Sequence, residues 1–289
     1  MIDAVPAPQI DPAMEAAYLG DQRRAHWPAT LAGFEAASAE VVRHPAYRGD
    51  LVHGPHERER FDHFATAGAA RGVLIYLHPG FWQMRDRTLF RCLMPVFADL
   101  GLDVVTLGHR LCPDVTLADL TESVRRAVPA VLAHQHALRG HVPPIVAAGH
   151  SAGAHLAVEL ALTDWAGRGA ATSPIAGVLA LSGIYDLEPL IATSLDAALR
   201  LDGERARAAS PIRRVAARGC PALFAVGAAE TPAFRAQTRD MAAAWRAAGH
   251  PTSTVESPGD DHFSLIETLR RGGGPLARAI EDLLAISLR

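Results

Sequence analysis

The chain has 289 residues, of which 49% are hydrophobic and 20% charged, and its formal net charge is -3. Such a chain can bury a substantial core, and it lacks the basic cluster with interleaved aromatics that nucleic acid or an anionic membrane would require. Three scattered cysteines argue against a disulfide framework, and the absence of lysine excludes a P-loop lysine, a Schiff-base lysine and a Ser-Lys dyad.

The N-terminal residues 1–50 are rich in alanine and predict a partly helical extension. Their first twenty residues have no basic end followed by an apolar block, and no apolar run of 18 residues occurs later. We therefore expect a cytoplasmic protein with a small-molecule substrate and no nucleic-acid or membrane partner. A homodimer is left open.

The rest of the chain alternates short apolar runs with segments long enough for a helix. This alternation predicts an α/β fold, with a mostly parallel sheet covered by helices on both faces. We expect one domain over residues 1–289, with a small lid-like insertion at 186–215, where Pro, Arg and Leu occur without a clear period. The predicted strands are residues 73–77, 103–107, 145–148, 176–181, 222–227 and 252–256. The predicted helices include residues 117–132, 152–160 and 263–269.

The pentapeptide Gly149-His150-Ser151-Ala152-Gly153 joins a predicted strand to a predicted helix. It has the form G-x-S-x-G, in which glycines allow a tight turn that exposes a nucleophilic serine at its tip. An ordinary turn rich in glycine and serine has the same appearance, so the pentapeptide alone does not decide whether Ser151 is a nucleophile. A histidine and a carboxylate at suitable positions elsewhere in the chain would support the role of Ser151 as a nucleophile.

A serine nucleophile needs a histidine that accepts its proton and a carboxylate that orients this histidine. Glu230 follows the predicted strand ALFAVG, and His262 lies in the turn-rich stretch PGDDHF after the last predicted strand. The chain order serine, acid, histidine is that of α/β-hydrolases. We therefore expect Ser151, Glu230 and His262 to be catalytic, and Asp186 is the competing acid.

Acyl transfer also needs donors for the developing oxyanion. We expect them from the backbone N–H groups of Ala152, Gly80 and Phe81, because Pro79 has no N–H. The neighbouring Trp82, together with Tyr185 further along the chain, is expected to contact the substrate. His78 is interpreted as a loop anchor. No H-E-x-x-H or comparable ligand spacing occurs, so neither a metal nor a cofactor is expected.

Several stretches together resemble the kynurenine formamidase (arylformamidase) family of α/β-hydrolases, which is related to the hormone-sensitive-lipase-like esterases. HPGFW at 78–82 is similar to that family's HGGYW loop, and GHSAGAHLA at 149–157 matches its serine turn. The other similar stretches are HGPHERERFDHF at 53–64, HRLCPDVTL at 109–117, SGIYDLEPL at 182–190, AETPAFRAQ at 229–237 and DHF at 261–263. The resemblance implies a triad of Ser151, Glu230 and His262, with aspartate more usual at position 230. The sequence departs from the family pattern at Pro79 and at His109, where tyrosine is common.

The resemblance implies a cofactor-free serine hydrolase that cleaves a small acyl amide, with N-formylkynurenine or a similar N-formyl arylamine as the expected substrate. A carboxylesterase or carbamate hydrolase would use the same triad, since fold and triad do not fix the leaving group. A ligand-binding protein that has lost turnover is the alternative outside enzymes, and it would usually lack a triad member.

Overall fold

The computed structural model describes residues 10–20, 24–215 and 219–289. Within them, eight strands form one sheet. The strands are β1 (Tyr47–Val52), β2 (Arg60–Phe64), β3 (Gly72–Leu77), β4 (Leu102–Leu107), β5 (Ile145–His150), β6 (Ile175–Leu181), β7 (Ala222–Gly227) and β8 (Thr252–Ser257). Their order across the sheet is β1-β2-β4-β3-β5-β6-β7-β8.

The six strands from β3 to β8 are parallel, as predicted. Ile75 of β3, for example, pairs with Val105 of β4 on one side and with Ala147 of β5 on the other. Strands β3, β4, β5 and β7 are buried along their whole length, which explains why each one is a continuous apolar run rather than an alternating pattern. The α/β-hydrolase fold predicted from the sequence is confirmed.

Strands β1 and β2 were not predicted, and both are antiparallel additions at one side of the sheet. In β1 the residues alternate between partly buried and exposed, and the strand carries arginine and aspartate. In β2 the buried Asp62 and His63 interrupt the apolar pattern that identified the other strands. The predicted N-terminal extension therefore includes the beginning of a strand as well as its helices.

The described residues also form ten α-helices, on both faces of the sheet. These are α1 (Pro12–Leu19), α2 (Trp27–Val41), α3 (Met94–Ala98), α4 (Leu117–Arg139), α5 (Ala152–Ala161), α6 (Asp196–Leu199), α7 (Gly203–Ala208), α8 (Pro232–Ala247), α9 (Ser264–Arg271) and α10 (Gly274–Ser287). Thr116 caps α4 by accepting a hydrogen bond from the Asp119 N–H at 3.1 Å, as its sequence predicts. None of these helices is long and apolar enough to cross a membrane.

The core consists of two apolar clusters, one on each face of the sheet. Successive residues of a strand alternate between them: Val73 and Ile75 belong to the first cluster, and Leu74 and Tyr76 to the second. Helices α4, α5 and α8 contribute to the first cluster, whereas α2, α3, α9 and α10 contribute to the second. This two-sided burial holds the strands rigidly and fixes the positions of the loops at their carboxyl ends.

The segment 186–215 consists of α6, α7 and the short 3-10 turns Glu188–Ala192 and Pro211–Arg214. Buried leucines anchor it to the first cluster, and Arg213 forms ion pairs with Asp186 and Glu188. Its role as a lid, like the assignment of residues 1–289 to one domain, stays a prediction.

Candidate active site

Ser151 lies on a sharp turn between the last residue of β5 and the first residue of α5. Its φ of 56° is in the left-handed region, which costs a non-glycine residue of order 1–3 kcal/mol and is typical of strained turns at functional sites. Its backbone N–H donates to the carbonyl oxygen of Leu181 at 2.8 Å, which ties the turn to the end of β6. Ser151 is therefore held at the carboxyl edge of the sheet and at the amino end of a helix.

The two glycines of the pentapeptide are required by close packing. A Cβ atom on Gly149 would lie 2.1 Å from the carbonyl oxygen of Gly153, and one on Gly153 would lie 1.9 Å from the carbonyl oxygen of Leu77. Leu77 ends β3 and is followed directly by the loop that starts at His78. The second glycine thus allows the amino end of α5 to approach the loop in which oxyanion donors were predicted.

His262 and Glu230 form a buried hydrogen-bonded pair. Nδ1 of His262 lies 2.7 Å from Oε2 of Glu230, and the Glu230 side chain is fully buried. The other carboxylate oxygen, Oε1, accepts hydrogen bonds from the Ser182 hydroxyl and from the Gly227 N–H, the latter at 2.8 Å. With three donors around it, the carboxylate holds the imidazole in the tautomer that carries its proton on Nδ1, so Nε2 is free to accept a proton.

These groups meet at one edge of the sheet because Ser151 follows β5, Glu230 follows β7 and His262 follows β8, all parallel strands. The ring of His150, the residue before Ser151, lies with its centroid 4.3 Å from that of His262. Asp186, the competing acid, lies 3.1 Å from the Arg213 guanidinium instead. The carboxylate that contacts His262 is therefore that of Glu230.

The predicted oxyanion loop has three consecutive residues with positive φ, namely Gly80 at 134°, Phe81 at 51° and Trp82 at 60°. A Cβ atom at position 80 would lie 2.0 Å from the carbonyl oxygen of Met84, so only glycine fits there. Among the hydrogen bonds of the described residues, none uses the N–H of Gly80, Phe81 or Ala152. These three N–H groups are available to a substrate oxygen, and their role as donors stays a prediction.

Trp82 fixes this loop through two contacts. Its indole N–H donates to Nδ1 of His155 at 3.3 Å, and its carbonyl oxygen accepts the Cys112 N–H at 2.9 Å. Nε2 of His155 in turn donates to the carbonyl oxygen of Ala209 at 2.8 Å, which defines a neutral imidazole. His155 therefore supports the loop.

Trp82 and Tyr185 were expected to contact the substrate, and both side chains are buried in the first apolar cluster. The Tyr185 ring packs edge-on against Phe224. Phe81 is also buried. Their contact with a substrate stays a prediction.

Four histidines near these loops are buried in neutral form. Burial lowers the pKa of His78 to about 4 and that of His109 and His150 well below its usual value, and it also lowers the pKa of His155. The rings of His78 and His109 stack with centroids 4.2 Å apart, and Nδ1 of His78 donates to the carbonyl oxygen of Pro79 at 2.9 Å. His78 therefore anchors its loop and does not transfer protons near neutral pH.

The N-terminal segment contributes contacts that the sequence did not reveal. The indole of Trp27 stacks on the His262 ring at a centroid distance of 6.0 Å and donates to Oδ2 of Asp261 at 3.3 Å. The same oxygen lies 2.7 Å from Nε2 of His26. The amino end of α2 is thereby fastened beside the catalytic histidine candidate. Trp27 was not recognised because nothing in its local sequence points to a contact with His262.

Across residues 10–20, 24–215 and 219–289, no group of three or more His, Cys, Asp or Glu side chains is arranged to hold a metal ion. The described site has a serine at a helix amino end, an imidazole paired with a buried carboxylate, and backbone N–H groups that make no hydrogen bond among the described residues. This set can carry out nucleophilic acyl transfer.

Comparisons with known proteins point to a hydrolase. The sequence profile of a protein family with the α/β-hydrolase fold matches residues 74–265. A kynurenine formamidase of Danio rerio is 31% identical over 256 residues, which span 86% of this chain and 84% of that protein. One of Salmo salar is 30% identical over 246 residues, or 82% of each chain.

Among solved structures, a protein of Silicibacter sp. TM1040 provisionally named a thioesterase is 27% identical, with a TM-score of 0.79. The similarity covers 96% of this chain and 99% of that one. The family match covers residues 74–265, whereas this structural similarity covers almost the entire chain.

Proposed function

The chain belongs to the kynurenine formamidase family of α/β-hydrolases and is a hydrolase, and from this we propose that it is a serine hydrolase of small acyl arylamides, with N-formylkynurenine or a similar N-formyl arylamine as its substrate. The observation that carries the proposal is the 2.7 Å hydrogen bond between His262 and the buried Glu230, on the same sheet edge as the strained Ser151 turn. The names of the similar proteins support the formamide substrate.

In the proposed first half-reaction, Oγ of Ser151 attacks the formyl carbon while Nε2 of His262 takes the hydroxyl proton. Glu230 stabilises the imidazolium that results. The negative charge on the carbonyl oxygen is met by the N–H groups of Ala152 and of Phe81 or Gly80, each donor contributing roughly 3–4 kcal/mol in the transition state. His262 then gives the proton to the amine nitrogen, the C–N bond breaks, and the arylamine leaves with the formyl group on Ser151.

In the second half-reaction a water molecule attacks the formyl ester and His262 accepts its proton. The new tetrahedral oxyanion occupies the same N–H donors. When the Ser151 oxygen leaves, His262 returns the proton to it and formate is released. The proposed cycle requires no metal or cofactor.

An arylamine suits this scheme because its nitrogen lone pair is delocalised, so it leaves more readily than an alkylamine after protonation. A formyl group suits it because the bulky Phe81 and Trp82 follow Gly80 in the loop whose N–H groups would hold the oxyanion. Hydrolysis of short acyl esters is a second candidate, favoured by the provisional thioesterase name of the similar Silicibacter protein. A carboxylesterase or carbamate hydrolase would use the same nucleophile and oxyanion donors.

The test compares turnover of N-formylkynurenine with that of p-nitrophenyl acetate by the purified protein and by Ser151→Ala. We expect formamide cleavage with the higher kcat/KM, and loss of both activities in a variant that remains folded by circular dichroism. A fluorophosphonate should label the wild-type protein once and leave Ser151→Ala unlabelled. Retained activity or labelling in the variant would refute the serine mechanism, and ester cleavage alone would favour the second candidate.

A further inference from the structure

Arg85 lies on the loop that contains the predicted oxyanion donors, three residues after Trp82. Its backbone has a φ of 70°, and its carbonyl oxygen accepts a hydrogen bond from the Arg58 guanidinium. The side chain is partly buried and places its guanidinium carbon 4.8 Å from the centroid of the Phe263 ring. Phe263 directly follows His262, so Arg85 is positioned beside the catalytic histidine candidate.

The guanidinium of Arg85 has no anionic partner among the residues that the structure describes. The nearest acid along the chain, Asp86, lies 3.2 Å from Arg58 and 3.6 Å from Arg87. The acid next to Phe263, Asp261, lies 2.7 Å from His26 and also receives the Trp27 indole N–H. Both of these carboxylates are therefore paired with other groups.

The charge of Arg85 acts on the site itself. Burial is the main cause of the lowered pKa of His150, the residue before Ser151, and of His78. The positive charge of Arg85 lowers both pKa values further. Among the described residues, the carboxylate of Glu230 contacts His262, and its two oxygens already accept three hydrogen bonds. The guanidinium of Arg85 therefore stands near Ser151 without an ion pair among the described residues.

A guanidinium stacked on a ring keeps the N–H groups at its edge free, and their planar fork matches the two oxygens of a carboxylate. A formyl group has no second functional group that could carry a charge, so any anionic group must be on the amine portion of the substrate. We propose that Arg85 binds a carboxylate on the amine portion of the substrate, and that the enzyme selects acyl arylamides that carry this carboxylate over those that lack it. The proposal deepens the proposed function and rests on it.

The test compares N-formylkynurenine with its methyl ester, which lacks the free carboxylate, and with formanilide as a second substrate without a carboxylate. For the wild-type protein we expect N-formylkynurenine to have the highest kcat/KM. Arg85→Met should raise KM for N-formylkynurenine by roughly 10- to 100-fold, the range of a lost charge-assisted hydrogen bond. It should change kcat/KM for the two substrates without a carboxylate by less than about 3-fold, and Arg85→Lys should recover part of the loss for N-formylkynurenine.

Arg270→Met is the matched control, because its guanidinium lies 5.7 Å from the centroid of the Phe34 ring but is paired with Glu267 at 3.0 Å. Arg270→Met should leave the preference for N-formylkynurenine over the two substrates without a carboxylate unchanged. The wild-type protein gives an independent measurement that needs no variant. Raising NaCl from roughly 0.05 to 0.5 M should increase KM for N-formylkynurenine and not for its methyl ester.

The outcomes separate the two proposals. Equal losses on substrates with and without a carboxylate in Arg85→Met would mean that Arg85 only supports the loop, and no loss on any substrate would mean that it binds no substrate group. Equal kcat/KM of the wild-type protein for N-formylkynurenine and its methyl ester would overturn the role of Arg85 and leave the proposed function intact. Failure of the wild-type protein to cleave any of the three formamides would refute the proposed function itself.

Discussion

The hydroxyl of Ser182 donates a hydrogen bond to Oε1 of Glu230, the carboxylate oxygen that His262 does not contact. Ser182 follows β6, has a φ of 50° and is completely buried. A neighbouring strand thus supplies a residue that orients the carboxylate, which in turn orients the imidazole. The proposed triad is supported by a fourth residue.

Ser182→Ala tests this support. Without the Ser182 hydroxyl, Oε1 of Glu230 keeps the Gly227 N–H as its remaining donor. We therefore expect kcat to fall roughly 10- to 100-fold with little change in KM. Ser257→Ala is the matched control, since the Ser257 hydroxyl donates to Asp260 at 2.6 Å instead. Steady-state kinetics of both variants on the same substrate decide the question. Equal effects of the two substitutions would assign Ser182 a purely structural role.

Glu230→Gln should lower kcat by about 10³- to 10⁴-fold, because an amide can neither hold the proper tautomer of His262 nor stabilise its charged form. Asp186→Asn should cost little by comparison, since Asp186 contacts Arg213 and not His262. Single-turnover measurements on the two variants distinguish the two acids. A larger loss in Asp186→Asn would show that the acid has been assigned to the wrong residue.

The protein should lose stability in mild acid, because burial lowers the pKa of His78, to about 4, and also those of His109, His150 and His155. In the unfolded chain these groups return to about 6.5. Below that pH the unfolded chain binds more protons than the folded one, so the free energy of unfolding falls as the pH falls. Each histidine contributes up to about 1.4 kcal/mol per pH unit. For His78 the loss starts near pH 6.5 and continues to about 4.

Urea unfolding at several pH values between about 7.5 and 5.5 measures this loss. His109→Phe removes one of the four groups and should make the dependence on pH shallower. A free energy of unfolding that is constant or increases over this range would contradict the expected direction.

The acyl group should be small. Phe81 and Trp82 are only 3% and 1% exposed, and both follow Gly80 in the predicted oxyanion loop. We expect kcat/KM for p-nitrophenyl esters to fall by at least roughly 10-fold from acetyl to butyryl, equivalent to about 1.4 kcal/mol. The Phe81→Ala variant should reduce this discrimination. Equal or faster turnover of octanoyl esters by the wild-type protein would indicate an open acyl pocket and a lipase-like specificity.

Strands β3 to β7 could be predicted because they are buried on both faces and therefore appear as apolar runs. The positions of Ser151 and Glu230 could be predicted because they lie one and three residues after such a strand, and His262 lies in the turn-rich loop after the more polar β8. β1 and β2 could not, since polar residues interrupt their pattern. Long-range contacts such as Ser182 with Glu230 leave no mark in the local sequence, because a serine after a strand has many other uses.

The bond between His26 and Asp261 joins residues that are 235 positions apart in the chain. During synthesis the ribosome releases His26 and Trp27 long before Asp261 and His262 emerge. The contact of Trp27 with the imidazole therefore forms only after the central strands have emerged. A nascent chain stalled before residue 261 has Ser151 and Glu230 but lacks His262, so the proposed triad is complete only once the loop after the last strand of the sheet has been made.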